Sequence, residues 1–232
     1  MDLAACERDG VEVARRATGG FAILHTDELT YRVATPPDDP RAEGAILDAY
    51  RRLSEGLLTG LHLLGVPARM NPVVPGGVHN ASAACFEAPS AYEISIGEQK
   101  LIGSAQCRPQ GRVLQHGSLP LYGDIARVVT YLAFASEAER GELAAHLRER
   151  ATTLSAALGR AVRFDEAAEA MGHGFAEGLN PGLCRCSLSV LPAWNLSIRE
   201  VLAFRPEARV DRPLGRVSTH LYTTEPYFSI DF

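Results

Sequence analysis

The sequence predicts a mixed α/β fold of the α+β kind, in which a largely antiparallel sheet packs against helices. Three observations predict it. Short runs that alternate apolar and polar residues, bounded by Gly, Pro, Asn and Asp, recur between residues 11 and 116 and read as strands. Two segments, 43–64 and 136–158, instead repeat their apolar residues at three and four, the period of one helix face. The segments follow in the order β-β-α-β-β-β-α-α, which excludes a helical bundle and an all-strand sandwich.

Strand-like pieces open the chain at 11–15, 21–25 and 29–33. The last two are separated only by Thr26-Asp27-Glu28, which suggests a hairpin or two adjacent strands. Pro36-Pro37-Asp38-Asp39-Pro40 ends this pattern and opens a loop. The helix over 43–64 should bury Ile46, Ala49, Leu53, Leu57, Leu61 and Leu64, and stop near Gly65-Val66-Pro67. Residues 70–82, rich in Pro, Gly, Asn and Ser, read as a loop. Tyr92, Ile94 and Ile96 then alternate with Glu93 and Ser95, a half-buried strand. Gly97-Glu98 turns the chain into a return strand over 99–104, placing Lys100 opposite Ser95. Residues 111–116 supply a third strand beside them. Ser136 and Glu139 form a capping box, and Leu143, Leu147, Ala151, Leu154 and Leu158 continue as one helix face up to Gly159. A shorter helix from Asp165 should turn Ala168, Met171 and Phe175 inward. Past Asn180 no long periodic segment appears.

Composition narrows the function. The 232 residues, 46% hydrophobic and 22% charged, can build one sizeable core or two small ones. No run of 18 apolar residues exists to span a membrane, and acids among the first eight residues argue against a secretory signal. A net charge of -5 without a basic cluster disfavours nucleic acid as a partner. The cysteines at 6, 85, 107, 184 and 186 are odd in number and lack a C-x-x-C pair, which reads as free thiols in a reducing cytoplasm. Cys184-x-Cys186 is too close and too short of ligands for structural zinc, so no metal is expected. Of the 23 basic residues 22 are arginine and one, Lys100, is lysine. Codon bias accounts for the arginines but not for the exception.

The chemistry-bearing residues gather in four stretches. Cys85 stands at a loop-to-strand junction before Pro89, where a thiol can face a cleft. Taken alone, a cysteine beside phenylalanine is more often a small buried hydrophobe. Lys100 alters that reading, because a nearby cation favours the thiolate, which is the nucleophile. Arginine would also bring charge, but only an ammonium readily gives up a proton. The hairpin alone does not join the two residues; the segment 86–90 must fold back over the sheet. Arg15-Arg16-Ala17-Thr18-Gly19-Gly20, with His25 one strand later, offers paired glycines for close backbone approach and arginines for phosphate or carboxylate, or else a tight turn with solvated arginines. Gly103-Ser104-Ala105-Gln106 places small residues inside a strand, where a ligand can come close. His116, before Gly117-Ser118, could orient a catalytic group, although a lone strand histidine is more often structural.

Together, Arg15-Arg16-x-Thr18-Gly19-Gly20-(x)4-His25, Cys85-Phe86-x-Ala88-Pro89-Ser90-x-Tyr92-Glu93, Lys100-(x)2-Gly103-Ser104-Ala105-Gln106-x-Arg108 and Leu114-Gln115-His116-Gly117-Ser118 resemble the biotin/lipoate protein ligase superfamily, and within it most of all the LipM-type octanoyltransferases. The resemblance covers about residues 8–178. It implies a biotin/lipoate ligase-like catalytic domain over 1–179, lacking the helix and strand with which the family usually begins, and a divergent tail of uncertain fold over 180–232. It further implies transfer of octanoyl from acyl carrier protein to a lysine of a lipoyl domain, such as that of the glycine cleavage H protein, with no cofactor. Cys85 matches the acyl-thioester nucleophile, and Lys100 the residue that lowers its pKa. Arg15, Arg16, Thr18, Gly19, Gly20, His25, Gly103, Ser104, Ala105, Gln106, His116 and Gly117 match the substrate-binding elements. ATP-dependent lipoate ligases share the arginine–glycine and lysine–glycine–serine elements but usually lack the cysteine segment. An ATP-dependent ligase and a non-catalytic binder of lipoyl domains or carrier protein are therefore the two alternatives.

Overall fold

The computed structural model describes residues 1–16, 18, 22–71, 93–179, 218–222 and 227–230. A helix that the apolar pattern does not announce comes first, α1 (Leu3–Arg8), capped by the Asp2 carboxylate accepting the Ala5 N–H at 3.0 Å. Strands β1 (Glu12–Arg15), β2 (Ile23–His25) and β3 (Glu28–Thr35) follow, then helix α2 (Ile46–Leu63). Strands β4 (Arg69–Met70), β5 (Ile94–Ile96), β6 (Gln99–Cys107) and β7 (Val113–Pro120) lead to helices α3 (Glu137–Arg150), α4 (Leu154–Leu158) and α5 (Phe164–Leu179). The stretch past residue 180 contributes β8 (Ser218–Tyr222) and β9 (Tyr227–Ile230).

Six strands form the main sheet in the order β4-β5-β6-β7-β3-β8, every neighbouring pair antiparallel. A smaller sheet, β1-β9-β2, has β1 parallel and β2 antiparallel to β9. The mixed α/β class with a largely antiparallel sheet is therefore what the chain adopts. The expected pairing of 21–25 with 29–33 is not formed. Both edges of β3 are taken, one by an eight-residue ladder to β7 running from Glu28↔Pro120 to Thr35↔Val113, the other by β8. Thr26-Asp27 carries the chain from one sheet to the other, and the Asp27 carbonyl accepts the Leu121 N–H at 2.8 Å, tying the crossing to the end of β7.

Helices α2 and α5 cover the main sheet. Leu53, Leu57 and Leu61 of α2 and Met171 and Phe175 of α5 are buried with Leu29, Tyr31 and Val33 of β3 in one core. Each fully buried side chain of this size contributes about 1.5–3 kcal/mol. Ile46 is the departure: it opens α2 rather than sitting one turn inside it, and is 54% exposed. The two helices touch through glycine. A Cβ on Gly174 would lie 2.3 Å from the Gly56 carbonyl oxygen and 2.3 Å from the Gly60 nitrogen. Helix α5, at 16 residues, is longer than its apolar spacing suggests. A second core joins Cys6, Val11 and Ala22 to Val128, Val129, Leu132 and Leu147.

The continuous helix expected over 136–158 is broken. Ala151 takes extended dihedrals (φ −133°, ψ 159°) and forms a parallel bridge to Lys100, and the Thr152 N–H donates to the Lys100 carbonyl at 3.0 Å. Thr153 then caps α4 by accepting the Ala156 N–H at 3.3 Å. Helical periodicity runs straight through this break because Ala151 remains apolar and buried. What the periodicity misses is that Lys100 on β6 offers a backbone partner there.

Candidate active site

Lys100 lies on β6 just past the turn at Gly97-Glu98, where Gly97 adopts φ 56°. It pairs with Ser95 as the turn dictates. Its backbone is held on the other side by Ala151 and Thr152. Its side chain is buried, and Nζ donates to Glu93 Oε1, whose own side chain is 5% exposed. The 92–96 strand was expected to bury one face only, yet Glu93 and Ser95 are buried as well as Ile94. Each has found a partner that permits it: Glu93 takes the ammonium, and Ser95 Oγ donates to Asn71 Oδ1 at 2.7 Å.

From Gly103 onward β6 pairs with β7 alone among the described residues, since β5 reaches only Ile102. The Ser104 carbonyl points away from β7, towards the Tyr50 hydroxyl at 3.5 Å. In an antiparallel strand the N–H of a residue points to the same side as its carbonyl, so Ser104 and Gln106 direct N–H groups to the side away from β7. The Ser104 hydroxyl accepts from Tyr31 at 2.6 Å, and burial pushes the Tyr31 phenol up to about 12. Gln115 continues this polar chain, donating to Tyr31 and Ser54 and accepting from Gln106 at 3.0 Å. Gly117 must lack a side chain here, because a Cβ would stand 2.3 Å from the Gly103 oxygen and 2.7 Å from the Tyr31 ring.

One row along, His116 pairs with Ala105 on β6 and Arg32 on β3. Burial, then the charge of Arg16, then His25, lower its pKa to about 4, so the ring is neutral near pH 7. Its Nε2 lies 2.6 Å from the hydroxyl of buried Thr18, which also accepts from Arg16 at 3.5 Å. This joins the arginine–threonine segment to the centre of the sheet. His25 is buried on β2 and bonds through Nδ1 to Glu28 Oε1. Glu28 also accepts from Thr30 at 2.8 Å and from Ser118. Glu28, expected as part of a turn, and Glu93, expected only as a polar residue of a half-buried strand and the end of a motif, are the two residues whose roles sequence reasoning missed. An acid three positions after a histidine was the available signal for the first.

Cys85, Gly19 and Gly20 lie outside the described residues, as do most of 180–232. Arg15 closes β1 opposite Ile230. The two described cysteines are held as thiols, because burial pushes both Cys6 and Cys107 above the ordinary value. Among the described residues no three His, Cys, Asp or Glu side chains gather as a metal cluster, and no helix is long and apolar enough to cross a membrane. Two open concavities among the described residues border Asp27, Glu28 and Tyr122.

An antiparallel sheet carrying a buried lysine, small residues at a strand edge and an arginine–threonine segment tied to a histidine defines a class. Residues 1–176 match the lipoyl protein ligase A/B catalytic domain, and the chain belongs to that family. Its relatives point to one branch of it. The chain is 41% identical over 186 residues to octanoyltransferase LipM of an Exiguobacterium species, with 78% of this chain and 67% of the relative aligned. It is 37% identical over 191 residues to octanoyltransferase LipM of Carboxydothermus hydrogenoformans, covering 82% and 70%. Among solved structures it is similar to the bipartite lipoate protein ligase of Thermoplasma acidophilum studied with its E2 lipoyl domain (TM-score 0.59, 27% identity, 77% of this chain and 62% of that one). A lipoate-protein ligase A bound with ATP gives a TM-score of 0.57 at 27% identity, over 77% and 63% of the two chains. The chain thus spans about two thirds of the length of the curated relatives it matches.

Proposed function

We propose that this chain is an octanoyltransferase that moves octanoyl from acyl carrier protein to a lipoyl-domain lysine through a thioester on Cys85. The acyltransferase class follows from the LipM relatives, all at 36–44% identity. A lipoyl-domain acceptor is supported by those relatives and by the archaeal ligase studied with its lipoyl domain. The observation that carries the mechanism is the chain's one lysine, buried and anchored on both sides, with its Nζ bonded to Glu93. Cys85 is eight residues before Glu93 in the sequence.

In the first half-reaction the Cys85 thiolate attacks the octanoyl thioester carbon, and the carrier thiolate leaves and takes up a proton. Lys100 is the cation beside the thiolate and a proton donor for the leaving sulfur. Backbone N–H groups of Ser104 and Gln106, on the side of β6 away from β7, are the donors for the oxyanion. In the second half-reaction the neutral acceptor amine attacks the acyl-enzyme, the Cys85–acyl bond breaks to give back the thiolate, and the extra proton of the amine passes to the Lys100 amine left neutral by the first half, restoring the ammonium. The Arg16–Thr18–His116 hydrogen bonds hold Thr18 against the sheet. No activation by ATP is required, since a thioester already has the needed reactivity.

The test is incubation with octanoyl-acyl carrier protein, without ATP, followed by intact-mass spectrometry. One octanoyl adduct on the parent chain and none on Cys85→Ala is the expected result. Acyl transfer that requires ATP and survives Cys85→Ala would make the protein a ligase. A folded chain that takes no acyl group would make it a binder.

A further inference from the structure

The core that buries Leu53, Leu57, Tyr31 and Val33 also takes in an amide, that of Gln115 on β7, which is 0% exposed. Gln115 stands between Val33 on β3 and Gln106 on β6 in the sheet. Its Nε2 donates to the Tyr31 hydroxyl at 3.3 Å and to Ser54 Oγ on α2 at 3.2 Å, and its Oε1 accepts from Gln106 Nε2 at 3.0 Å. Tyr31 in turn donates to Ser104 Oγ at 2.6 Å. One side chain thus joins β3, α2 and β6, and the two positions it reaches on β6 are Ser104 and Gln106. Both direct their N–H and carbonyl groups away from β7, so the backbone ladder between β6 and β7 passes through the residues on either side of them. Side-chain bonds at Ser104 and Gln106 supply on the β7 side the fixing that the ladder does not.

We infer that Gln115 is a positioning residue, which sets β6 from the helix side of the sheet so that the N–H groups of Ser104 and Gln106 keep one spacing and one direction. The inference rests on the oxyanion role proposed above for those two groups. Stability alone does not call for an amide here. A buried hydrogen bond adds little net stability, because both partners give up water for it, and apolar side chains of the same shape fill such a space nearly as well. What the hydrogen bonds add is direction. Apolar contacts are non-directional and tolerate small slides, whereas a chain of hydrogen bonds closes over a narrow range of distance and angle. Oxyanion donors need that precision, since they act only at about 2.7–3.1 Å from the developing charge. Gln115 lies on the α2 face of the sheet and bonds to Ser54 there, so it acts through β6 and not on the substrate.

The experiment compares the full-length parent with Gln115→Met, which keeps the length of the side chain and removes its amide. Single-turnover acylation is followed over a range of octanoyl-acyl carrier protein concentrations. The rate constant at saturation should drop about tenfold to a hundredfold while the half-saturating concentration stays at the parent value, because the two N–H groups act in the transition state and not in binding. Alkylation by iodoacetamide, read at the Cys85 peptide by mass spectrometry, passes through no oxyanion, and its rate should not change. Tyr31→Phe cuts the chain between Gln115 and Ser104, so it should show the same split, and it decides the matter if Gln115→Met does not fold. A saturating rate constant equal to the parent's overturns the inference and leaves the octanoyltransferase reading intact. A loss confined to the amount of active protein, or one shared equally with alkylation, overturns it too, since either would mark a purely structural role. A folded parent that takes no octanoyl group overturns the octanoyltransferase reading, and the inference with it.

Discussion

Lys100 and His116 carry opposite demands at the residue scale. Lys100 is buried, its Nζ donating to Glu93. Lys100→Arg keeps the charge but brings a wider, planar head that cannot give up a proton. Misplacing a reacting group by about 1 Å costs on the order of a hundredfold in rate, and that loss is expected in single-turnover acylation of the folded variant. Near-normal rates would show the lysine to be incidental. His116 is instead kept uncharged, its pKa lowered to about 4 by burial and by the charge of Arg16. Between the unfolded value near 6.5 and about 4, the unfolded chain takes up a proton that the folded chain refuses, so stability falls as pH falls through this window. The ring is half-buried, so the effect is roughly 2 kcal/mol. Urea unfolding at about pH 7 and about pH 4.5 should show His116→Gln gaining that much on the parent at the acid end. A difference that does not change with pH would mean that the ring takes up its proton equally in the folded and unfolded chains.

At the scale of elements, the crossing of α2 and α5 depends on glycine more than on the leucine stripe that announces the helices. Gly56 and Gly60 on one helix and Gly174 on the other leave no room for a methyl group: a Cβ on Gly174 would lie 2.5 Å from the Gly60 Cα. Gly174→Ala gains about 1 kcal/mol of helix propensity yet should lose more through overpacking, a net cost of about 1–3 kcal/mol in denaturant unfolding. A stabilised variant would show that the helices can separate freely at this point. The break between α3 and α4 is the complementary case. Leu143, Leu147, Ala151, Leu154 and Leu158 keep helical spacing across it, so periodicity cannot reveal it. The chain leaves the helix because Ala151 and Thr152 find strand partners on Lys100. The same contact then steadies the residue on which the proposed chemistry depends.

Across the whole molecule, information local in the chain was legible and information carried by distant partners was not. The mixed class, the long helix stopping at Gly65, the Gly97-Glu98 turn and the Ser95↔Lys100 pairing all depend on neighbours within a few residues, and period and turn chemistry report those directly. The separate sheet for β2, and the insertion of β8 beside β3 and of β9 between β1 and β2, depend on edges that lie far away in sequence. The site divides in the same way. The residue types and spacings by themselves marked Lys100, Cys85 and the arginine–glycine segment as candidates beside plainer structural readings, and the lone lysine among arginines drew attention to one of them. Only the tertiary structure decided that Lys100 is buried against Glu93, that Thr18 meets His116 across 98 positions, and that Glu28 joins His25 to Ser118. Hydrogen bonds and ion pairs leave no periodic trace in a sequence. They appear when folding brings distant polar groups together in a low-dielectric interior, where each must find a partner.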